Sequence, residues 1–465
     1  MGDVIDEIRT IVGDGNVAAG DAVSENDTHD ECLTVAPVRP LAVVRPASTA
    51  DVSAVLAVCD RSRVPVTARG TGSGLSGGAV GRSDGIVMAF DRMTEVLHLD
   101  VANQVAVVQP GVTLAQLDEA VAGAGLVYPV EPGEPSATIG GTVATNAGGM
   151  RAVRYGVTRN HVLGLELVLA SGDVVRTGGR MVKLSTGPDL TQLVIGSEGT
   201  LALVTEVTLK LRRRARARAT LLAPFADLPA LAGAIPALIA SGVEPLMLEY
   251  LDMLAMAGVT DAAGIDLSVP PTVREQASTY LVVALEGRSH DLVDADVEVA
   301  GTVLQDQGAL DVFVLEPSAA AELVTARERA FYAAKAAGAD DIVDVVVPRA
   351  AIPDVLARAA ELAAASGALV TGCGHAGDGN VHLSVFQRDP ERRHQLLDSL
   401  FRCALDLGGA VSGEHGLGRA KRDAFAALAD PTLLALLRQV KHAFDPNSIL
   451  NPGVGPVGGE APGTS

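Results

Sequence analysis

The sequence predicts an α+β fold spread over more than one domain. Three observations support this prediction: the chain has 465 residues, its first half alternates short apolar strands with amphipathic helices, and its pattern changes after an arginine-rich run at 210–220. A chain of this length exceeds the roughly 100 to 200 residues of a typical single domain. Hydrophobic residues make up 48% and charged residues 20%, a balance typical of a globular protein with a large interior.

The first half of the chain begins with a predicted β-α-β unit. LAVVRP is expected to form a strand, STADVSAVLAVCDRSR a helix capped by Ser48, and VPVTA a second strand. VAVVQPG, TLAQLDEAVAGAG and LVYPV predict a second such unit, and residues 162–179 are typical of a hairpin that turns at 171–173. We therefore expect a helical N-terminal segment over residues 1–36 and one α+β domain over 37–215.

The second half predicts another α+β domain. TYLVVALEG and LDVFVLEP are typical of strands, whereas alanine-rich residues 319–338 and 353–366 are expected to form helices. A last helix should end at Asp445, which precedes a proline. We place this domain over residues 216–453 and expect a loose tail over 454–465, where glycine and proline dominate.

Charge and segment composition exclude several classes of protein. Lys plus Arg number 36 against 56 Asp plus Glu, a net charge of −20 that repels the phosphate backbone of nucleic acids. We interpret the arginine run as a solvated strand end rather than an interaction patch. No stretch approaches the ~18 apolar residues of a membrane span, and the N-terminus lacks a secretory signal. We expect a cytoplasmic protein with reduced thiols; peripheral contact with a membrane stays open.

Glycine-rich stretches are the main signal of a cofactor. ARGTGSGLSGGAVG contains Gly72, Gly74 and Gly77 at the spacing of the dinucleotide fingerprint. That fingerprint needs a helix at the glycines, whereas a strand, GIVMAF, follows here, so a nicotinamide-binding domain is the weaker interpretation. Glycines still let backbone N–H groups surround a pyrophosphate, although a flexible loop is the alternative. Two further stretches, 131–156 and 185–209, combine glycine with Ser, Thr and Asn and favour an extended polar cofactor.

These three stretches, in this order and spacing, resemble the FAD-binding domain of the vanillyl-alcohol-oxidase (PCMH-type) flavoproteins. The branch with the strongest resemblance contains the glycolate oxidase flavin subunit, D-lactate dehydrogenases and D-2-hydroxyglutarate dehydrogenase, and the resemblance spans residues 37–453. It implies a two-subdomain FAD-binding domain, an α+β substrate domain with an antiparallel sheet, and a C-terminal helix that returns to the FAD domain. Residues 69–78 lack the His or Cys that tethers the flavin in some members, so we expect non-covalent FAD.

The residues predicted to contact FAD are those that resemble the flavin-contacting segments of the family. They are Arg69, Gly70, Thr71, Gly72, Ser73, Gly74, Leu75, Ser76, Gly77, Pro132, Gly133, Thr138, Gly140, Gly141, Thr145, Asn146, Gly148, Gly149, Glu198, Gly199, Val204 and Asn451.

Two histidines and one carboxylate predict a metal site. His375 and His382 are too far apart for the helical i, i+4 pairing of zinc ligands, but the glycine turn between them can bring the rings together. Glu414 precedes His415 in SGEHGLGRAK. Two imidazoles and a carboxylate are typical of a catalytic divalent site, usually Zn²⁺, with Mn²⁺ or Fe²⁺ as alternatives; packed or surface histidines are the ordinary alternative. The family resemblance implies that His375, His382 and Glu414 are ligands and that His415 is the proton acceptor.

The substrate is predicted from the same resemblance. Arg327 resembles an arginine that binds the substrate carboxylate, although a solvent-facing arginine is an equal alternative. The threonine and lysine that serve the distal carboxylate in 2-hydroxyglutarate enzymes correspond to Phe331 and Ile342, and an asparagine after the second metal histidine corresponds to Ser384. These departures favour lactate, glycolate or an apolar 2-hydroxy acid. We predict metal-assisted oxidation of a D-2-hydroxy acid to the 2-oxo acid, with hydride transfer to flavin N5.

Other functions stay open at this point. A D-2-hydroxyglutarate dehydrogenase is the nearest alternative. A flavin-dependent alkyl transferase resembling alkyl-dihydroxyacetonephosphate synthase and a partner-dependent flavin subunit of a respiratory complex are alternatives of other classes. The electron acceptor could be a quinone, a cytochrome or an electron-transfer flavoprotein, and a homodimer is one option for assembly.

Overall fold

The structure is a computed structural model that describes residues 2–456. Its α-helices are α1 (Gly2–Val12), α2 (Thr49–Ser62), α3 (Leu114–Ala122), α4 (Ile139–Thr145), α5 (Ala152–Tyr155), α6 (Leu190–Val194), α7 (Leu228–Ala240), α8 (Met253–Ala263), α9 (Pro271–Arg274), α10 (His290–Asp306), α11 (Pro317–Glu328), α12 (Ala330–Ala336), α13 (Ile352–Ser366), α14 (Pro390–Asp406), α15 (Arg422–Leu428) and α16 (Pro431–Phe444). Within residues 2–456, none of these helices is long and apolar enough to cross a membrane.

A four-stranded sheet is formed near the N-terminus, with its strands in the order β1-β2-β4-β3. These strands are β1 (Val17–Ala19), β2 (Ala42–Val44), β3 (Val66–Arg69) and β4 (Ile86–Ala89). Strands β2 and β3 both run parallel to β4, and α2 connects them, which confirms the first β-α-β unit. The Ser48 side chain caps α2 by accepting from the Asp51 N–H, as predicted. In the N-terminal segment, α1 is followed by three short 3-10 helices (Asp14–Asn16, Gly20–Ala22 and Glu25–Thr28), and β1 joins this sheet by pairing with β2.

A five-stranded sheet follows, with its strands in the order β5-β6-β10-β8-β9. The strands up to residue 213 are β5 (Val96–Asp100), β6 (Val105–Val108), β7 (Leu126–Val127), β8 (Val162–Val168), β9 (Val174–Gly178), β10 (Leu203–Lys210) and β11 (Arg212–Arg213). The predicted hairpin is confirmed as β8 and β9. The prediction of a second β-α-β unit is wrong, because β7 pairs antiparallel with β11 outside this sheet. Pro129 explains why β7 is so short, since it lacks the N–H that a longer strand needs.

The second half of the chain forms a seven-stranded sheet in the order β15-β12-β14-β13-β17-β18-β16. Its strands are β12 (Ala217–Phe225), β13 (Met247–Asp252), β14 (Thr279–Gly287), β15 (Phe313–Val314), β16 (Asp341–Val346), β17 (Leu369–His375) and β18 (Asn380–Phe386). All neighbours pair antiparallel, as predicted. The helix expected at 319–338 is divided at Arg329 into α11 and α12. One face of this sheet packs against α7, α10, α13 and α14 and forms the largest apolar core.

The C-terminal segment returns to the first half of the chain. Helix α16 ends directly before Asp445, and the Lys441 ammonium donates to the Thr200 carbonyl at 2.7 Å and the Leu450 carbonyl at 2.8 Å. Val454 is fully buried, so the predicted loose tail is packed over 454–456; its remaining residues, 457–465, lie outside the described residues. The domain bounds 37–215 and 216–453 stay predictions.

Candidate active site

The three glycine-rich stretches converge on one cavity of about 230 Å³, here called the large cavity. The predicted FAD contacts that line it are Gly70, Thr71, Gly72, Ser73, Gly74, Leu75, Ser76, Pro132, Gly133, Thr138, Gly141, Thr145, Gly148, Glu198 and Gly199. Arg69, Gly140 and Val204 line a neighbouring cavity of about 70 Å³. Gly149 lines a third cavity of about 100 Å³, here called the histidine cavity, into which the predicted metal ligands project. The structure therefore brings most of the predicted cofactor residues together.

Backbone and small polar groups form the walls of the large cavity. A Cβ atom added to Gly70 would overlap the hydroxyl of Thr138, which caps α4 by accepting from Gly141 N–H. In the neighbouring cavity, a Cβ atom on Gly140 would lie 2.7 Å from the Pro110 side chain. Because these positions leave no room for a side chain, loops that are distant in sequence approach by their backbones. This surface of backbone and hydroxyl groups fits an extended cofactor that contains a pyrophosphate.

Three predicted FAD contacts lie outside the linings of these cavities. Gly77 has a positive φ of +77° and packs against Val35. The Asn146 side chain accepts from the Arg159 N–H at 3.0 Å. The roles of Gly77, Asn146 and Asn451 as FAD contacts stay predictions.

Asn451 connects two of the glycine-rich loops. Its amide nitrogen donates to the Gly78 carbonyl at 2.9 Å and to the Glu198 carbonyl at 2.8 Å. The Arg69 guanidinium has a similar bracing position, because it donates to the His29 carbonyl at 2.7 Å. Both side chains hold the loops around the large cavity in place.

The histidine cluster is a consequence of strand register in the seven-stranded sheet. Glu249 on β13 lies directly opposite His375 on β17. His382 on β18 lies opposite Cys373 of β17 on one side and Asp344 of β16 on the other. Residues directly opposite each other, and residues two apart on one strand, share a face of a sheet. Four neighbouring strands therefore present these side chains on one face.

The three predicted metal ligands meet at the edge of the histidine cavity. Glu414, from the loop after α14, places Oε1 3.1 Å from His375 Nε2 and 3.2 Å from His382 Nε2. The ligand atoms of the three residues all lie within 4.8 Å of one another. His375 Nδ1 lies 2.8 Å from Glu249 Oε1, the outer carboxylate contact that orients an imidazole ligand. Two imidazoles and one carboxylate facing a cavity fit a divalent cation such as Zn²⁺, Mn²⁺ or Fe²⁺.

The electrostatics of the cluster favour a positive charge at this point. Burial alone would lower the pKa of His375. The carboxylates of Glu249 and Glu414 outweigh this effect, so the pKa lies well above its usual value. Burial raises the pKa of Glu414, but the charge and hydrogen bond of His375 hold it well below its usual value. Buried carboxylates that stay ionised in this way provide the environment that a cation site needs.

His415 joins the histidine cavity to the large cavity and lines both. Its ring stacks on that of His382, with centroids 5.0 Å apart and an angle of 17° between the planes. Burial lowers the pKa of His415 to about 4, although the nearby Asp344 opposes this shift. The imidazole is therefore neutral at pH 7 and can accept a proton.

Asp344 holds the loop that carries Glu414 and His415, a role that the sequence analysis did not predict. Its buried carboxylate accepts from the Ser412 hydroxyl at 2.8 Å, the Gly413 N–H at 3.1 Å and the His415 N–H at 2.8 Å. Glu249 was missed in the same way. Both belong to strands that are distant in sequence from the histidine motif, so only the register of the sheet identifies them.

Arg327 lies at the end of α11, is 8% exposed and lines the histidine cavity. The alternative that it faces solvent is therefore wrong. Its Nη2 atom lies 2.9 Å from Glu249 Oε2, but the contact is bent away from hydrogen-bond geometry. Within the described residues, Arg327 Nε and Nη2 have no hydrogen-bond partner. These two nitrogens form one edge of the guanidinium, the edge that can bind a carboxylate in bidentate fashion.

Comparisons with known proteins agree with this architecture. Residues 40–178 match the FAD binding domain family, and residues 214–454 match the family described as FAD linked oxidases, C-terminal domain. The chain is 51% identical to a Mycobacterium tuberculosis protein named an uncharacterized FAD-linked oxidoreductase, over 98% of this chain and 99% of that protein. It is 36% identical to D-lactate dehydrogenase of Anaerostipes hadrus, over 94% of each chain.

Two further comparisons extend this result. The chain is 36% identical to the glycolate oxidase subunit GlcD of Bacillus subtilis, over 89% of this chain and 88% of that protein. Its fold is similar to that of p-cresol methylhydroxylase, with a TM-score of 0.80 at 18% identity over 97% of this chain and 96% of that one. The predicted PCMH-type fold and the enzymatic nature of the chain are thereby confirmed. The chain belongs to the family of FAD-linked oxidoreductases that join an FAD-binding domain to the C-terminal domain of FAD-linked oxidases.

Proposed function

We propose that this oxidoreductase converts a small D-2-hydroxy acid, of the lactate or glycolate type, to its 2-oxo acid. The proposal includes non-covalent FAD in the large cavity and a divalent cation held by His375, His382 and Glu414. The observation that carries it is the position of the histidine cavity. This cavity lies between the glycine-rich loops and the three ligand atoms, and a buried arginine lines it.

Arg327 would bind the carboxylate of the substrate. Arg327 lines the cavity, and a bidentate pair with a carboxylate would satisfy Nε and Nη2, which have no hydrogen-bond partner within the described residues. A substrate held in this way keeps its α-hydroxyl group close to the carboxylate-binding edge, because the two groups are on adjacent carbons. Arg327 therefore sets the orientation of the reacting carbon.

His415 would accept the hydroxyl proton. It lines both cavities, so its ring reaches the region between the ligand atoms and the flavin loops. The Asp344 carboxylate fixes the backbone of this residue, which limits the freedom of the ring. When bound, the cation would acidify the hydroxyl group and the flavin would take up the hydride.

The lining of the histidine cavity favours a monocarboxylic acid. Phe331, Ile342 and Ser384, which differ from the threonine, lysine and asparagine at the corresponding positions of the 2-hydroxyglutarate enzymes that the chain resembles, line it, and Ile342 lies directly opposite Ser384 across β16 and β18. Arg327 is the sole Lys or Arg side chain in this lining. The relatives named D-lactate dehydrogenase and glycolate oxidase subunit support the same substrate class and, for the first, the D enantiomer.

The decisive experiment is anaerobic mixing of the purified protein with a panel of D- and L-2-hydroxy acids while flavin absorbance is followed. D-Lactate or glycolate should bleach the flavin, D-2-hydroxyglutarate should do so much more slowly, and chelation should prevent the reaction until Zn²⁺ or Mn²⁺ is restored. Faster reduction by D-2-hydroxyglutarate would contradict the monocarboxylate assignment. Absence of reduction by every acid would contradict the function and favour the alkyl-transferase or partner-dependent alternatives.

A further inference from the structure

Glu249 is a buried carboxylate whose two oxygen atoms contact different side chains. Only its contact with His375 has a role in the proposed function. It is 1% exposed and lies on β13. Oε1 lies 2.8 Å from Nδ1 of His375, and Oε2 lies 2.9 Å from Nη2 of Arg327. One carboxylate therefore contacts both a proposed cation ligand and the proposed substrate arginine.

The position of Glu249 is fixed by the sheet. Its strand is paired on both sides, with β14 and with β17, and Glu249 is the direct cross-strand partner of His375. A side chain in the interior of a sheet has less freedom than one on a loop, so the geometry of both contacts is set before any ligand binds.

Each contact has a chemical consequence. When a cation is bound, a carboxylate at Nδ1 of His375 would keep the proton on that nitrogen and leave the lone pair of Nε2 for the cation. The second oxygen gives the buried guanidinium of Arg327 an anionic neighbour, and a buried charge without such a neighbour is strongly unfavourable. Because the Arg327 contact is bent, the Nε and Nη2 edge stays available for a second anion.

We propose that Glu249 is a positioning residue that couples the cation site to the substrate arginine, an inference that rests on the proposed function. The carboxylate orients His375 for the cation and Arg327 for the substrate carboxylate. Loss of Glu249 should therefore weaken cation binding and substrate binding together. Loss of either partner alone should weaken mainly one of them.

The test compares Glu249→Ala, Glu249→Gln and the unmodified flavin-bound protein, with Glu244→Gln as control. Glu244 is exposed and lies just before the same strand. Zinc affinity is measured by equilibrium dialysis of chelator-treated protein without substrate. The D-lactate concentration for half-maximal rate of anaerobic flavin reduction is measured at saturating zinc.

Glu249→Ala should lower zinc affinity by about 10- to 100-fold, the usual effect of removing an outer partner of a metal-bound histidine, and should raise the half-maximal D-lactate concentration about 10-fold or more. Glu249→Gln keeps an acceptor for His375 only if its amide NH2 group faces Arg327, where it opposes a donor and should displace the guanidinium from its position. It should therefore keep zinc affinity within about threefold while losing D-lactate affinity. Glu244→Gln should change neither quantity.

Unchanged zinc affinity in Glu249→Ala, or unchanged D-lactate dependence in Glu249→Gln, would overturn the proposal. If the alanine variant does not fold, the D-lactate dependence of Glu249→Gln, which preserves the size of the side chain, tests the proposal by itself. Failure of the proposed function has a different signature, because the unmodified protein would then not be reduced by any 2-hydroxy acid. The zinc measurement would still test the link between Glu249 and His375.

Discussion

The large cavity and the histidine cluster are built by opposite means. Around the large cavity and the neighbouring cavity, loops approach because side chains are absent, as at Gly70 and Gly140. In the histidine cluster, adjacent strands place ionisable side chains on one face of a sheet. The first region fits a cofactor through the shape of its backbone, whereas the second offers functional groups to a cation and a substrate. Substitutions should therefore act through steric overlap in the first region and through lost chemistry, with little change in fold, in the second.

The largest expected effect is at His415. His415→Ala should keep its FAD and lower the rate of flavin reduction by D-lactate by about 10²- to 10⁴-fold, the usual contribution of a general base. Stopped-flow absorbance under anaerobic conditions measures the rate, and the ratio of flavin absorbance to protein gives the FAD content. His442→Ala, at an exposed position on α16, is the control. A fully active His415→Ala enzyme would rule out the proposed base.

Substitution of a proposed metal ligand should remove the cation from the histidine cluster and leave FAD in the large cavity. His375→Ala removes one of three proposed ligands, so we expect loss of the bound metal and at least about a 100-fold loss of flavin reduction, with FAD retained. Metal content is measured by elemental analysis, and chelation of the unmodified protein should produce the same loss reversibly. Retention of a full equivalent of metal by this variant would contradict the assigned cation site.

Substitution of a glycine beside the large cavity should weaken FAD binding and leave the cation site unchanged. Gly70→Ala would push a Cβ atom against Thr138, and an overpacked contact costs about 1 to 3 kcal/mol, so FAD affinity should fall by about 10-fold or more. The zinc affinity should not change. Gly258→Ala is the control, because nothing lies within 4 Å of the added atom in α8 and alanine favours the helix. Normal FAD affinity in Gly70→Ala would show that this loop tolerates a side chain.

Substrate choice should respond to a single side chain in the histidine cavity. Ile342→Lys would add a second cation to a lining that holds Arg327 alone, so the ratio of D-2-hydroxyglutarate to D-lactate efficiency should rise by about 10-fold. Ile342→Met is the apolar control. An unchanged ratio would place the distal end of the substrate elsewhere.

The smallest expected effect is a change in the pH dependence of stability, and it concerns the carboxyl group of Glu198. Burial raises the pKa of Glu198, in the large cavity, to about 7, whereas Glu414 stays ionised. Folded Glu198 therefore holds its proton more tightly than the unfolded chain, and the stability it contributes is complete below about pH 4 and is lost as the pH rises through about 7. Glu198→Gln should remove up to ~1.4 kcal/mol per pH unit of this decline between pH 5 and 7. Urea unfolding of flavin-free protein measures it; equal slopes in both proteins would contradict the prediction.

The two regions also differ in how much of them the sequence predicts. Glycine positions, and two histidines on either side of a glycine turn, are local patterns, so residues 70–76, which line the large cavity, and both histidines could be predicted without a structure. Glu249 and Asp344 could not, because their role depends on the register of strands that are far apart in sequence. The second β-α-β unit failed for a related reason, since a two-residue strand is assigned its partner by tertiary contacts alone.

The returning C-terminal segment has a consequence for the order of assembly. Leu450 pairs with Val66, and Asn451 joins the loops at Gly78 and Glu198. A polypeptide leaves the ribosome N-terminus first, so Asn451 emerges only after both of the loops that it joins. We expect the nascent protein to remain colourless until residue 451 has emerged, and chains truncated before residue 440 to be recovered without their yellow prosthetic group.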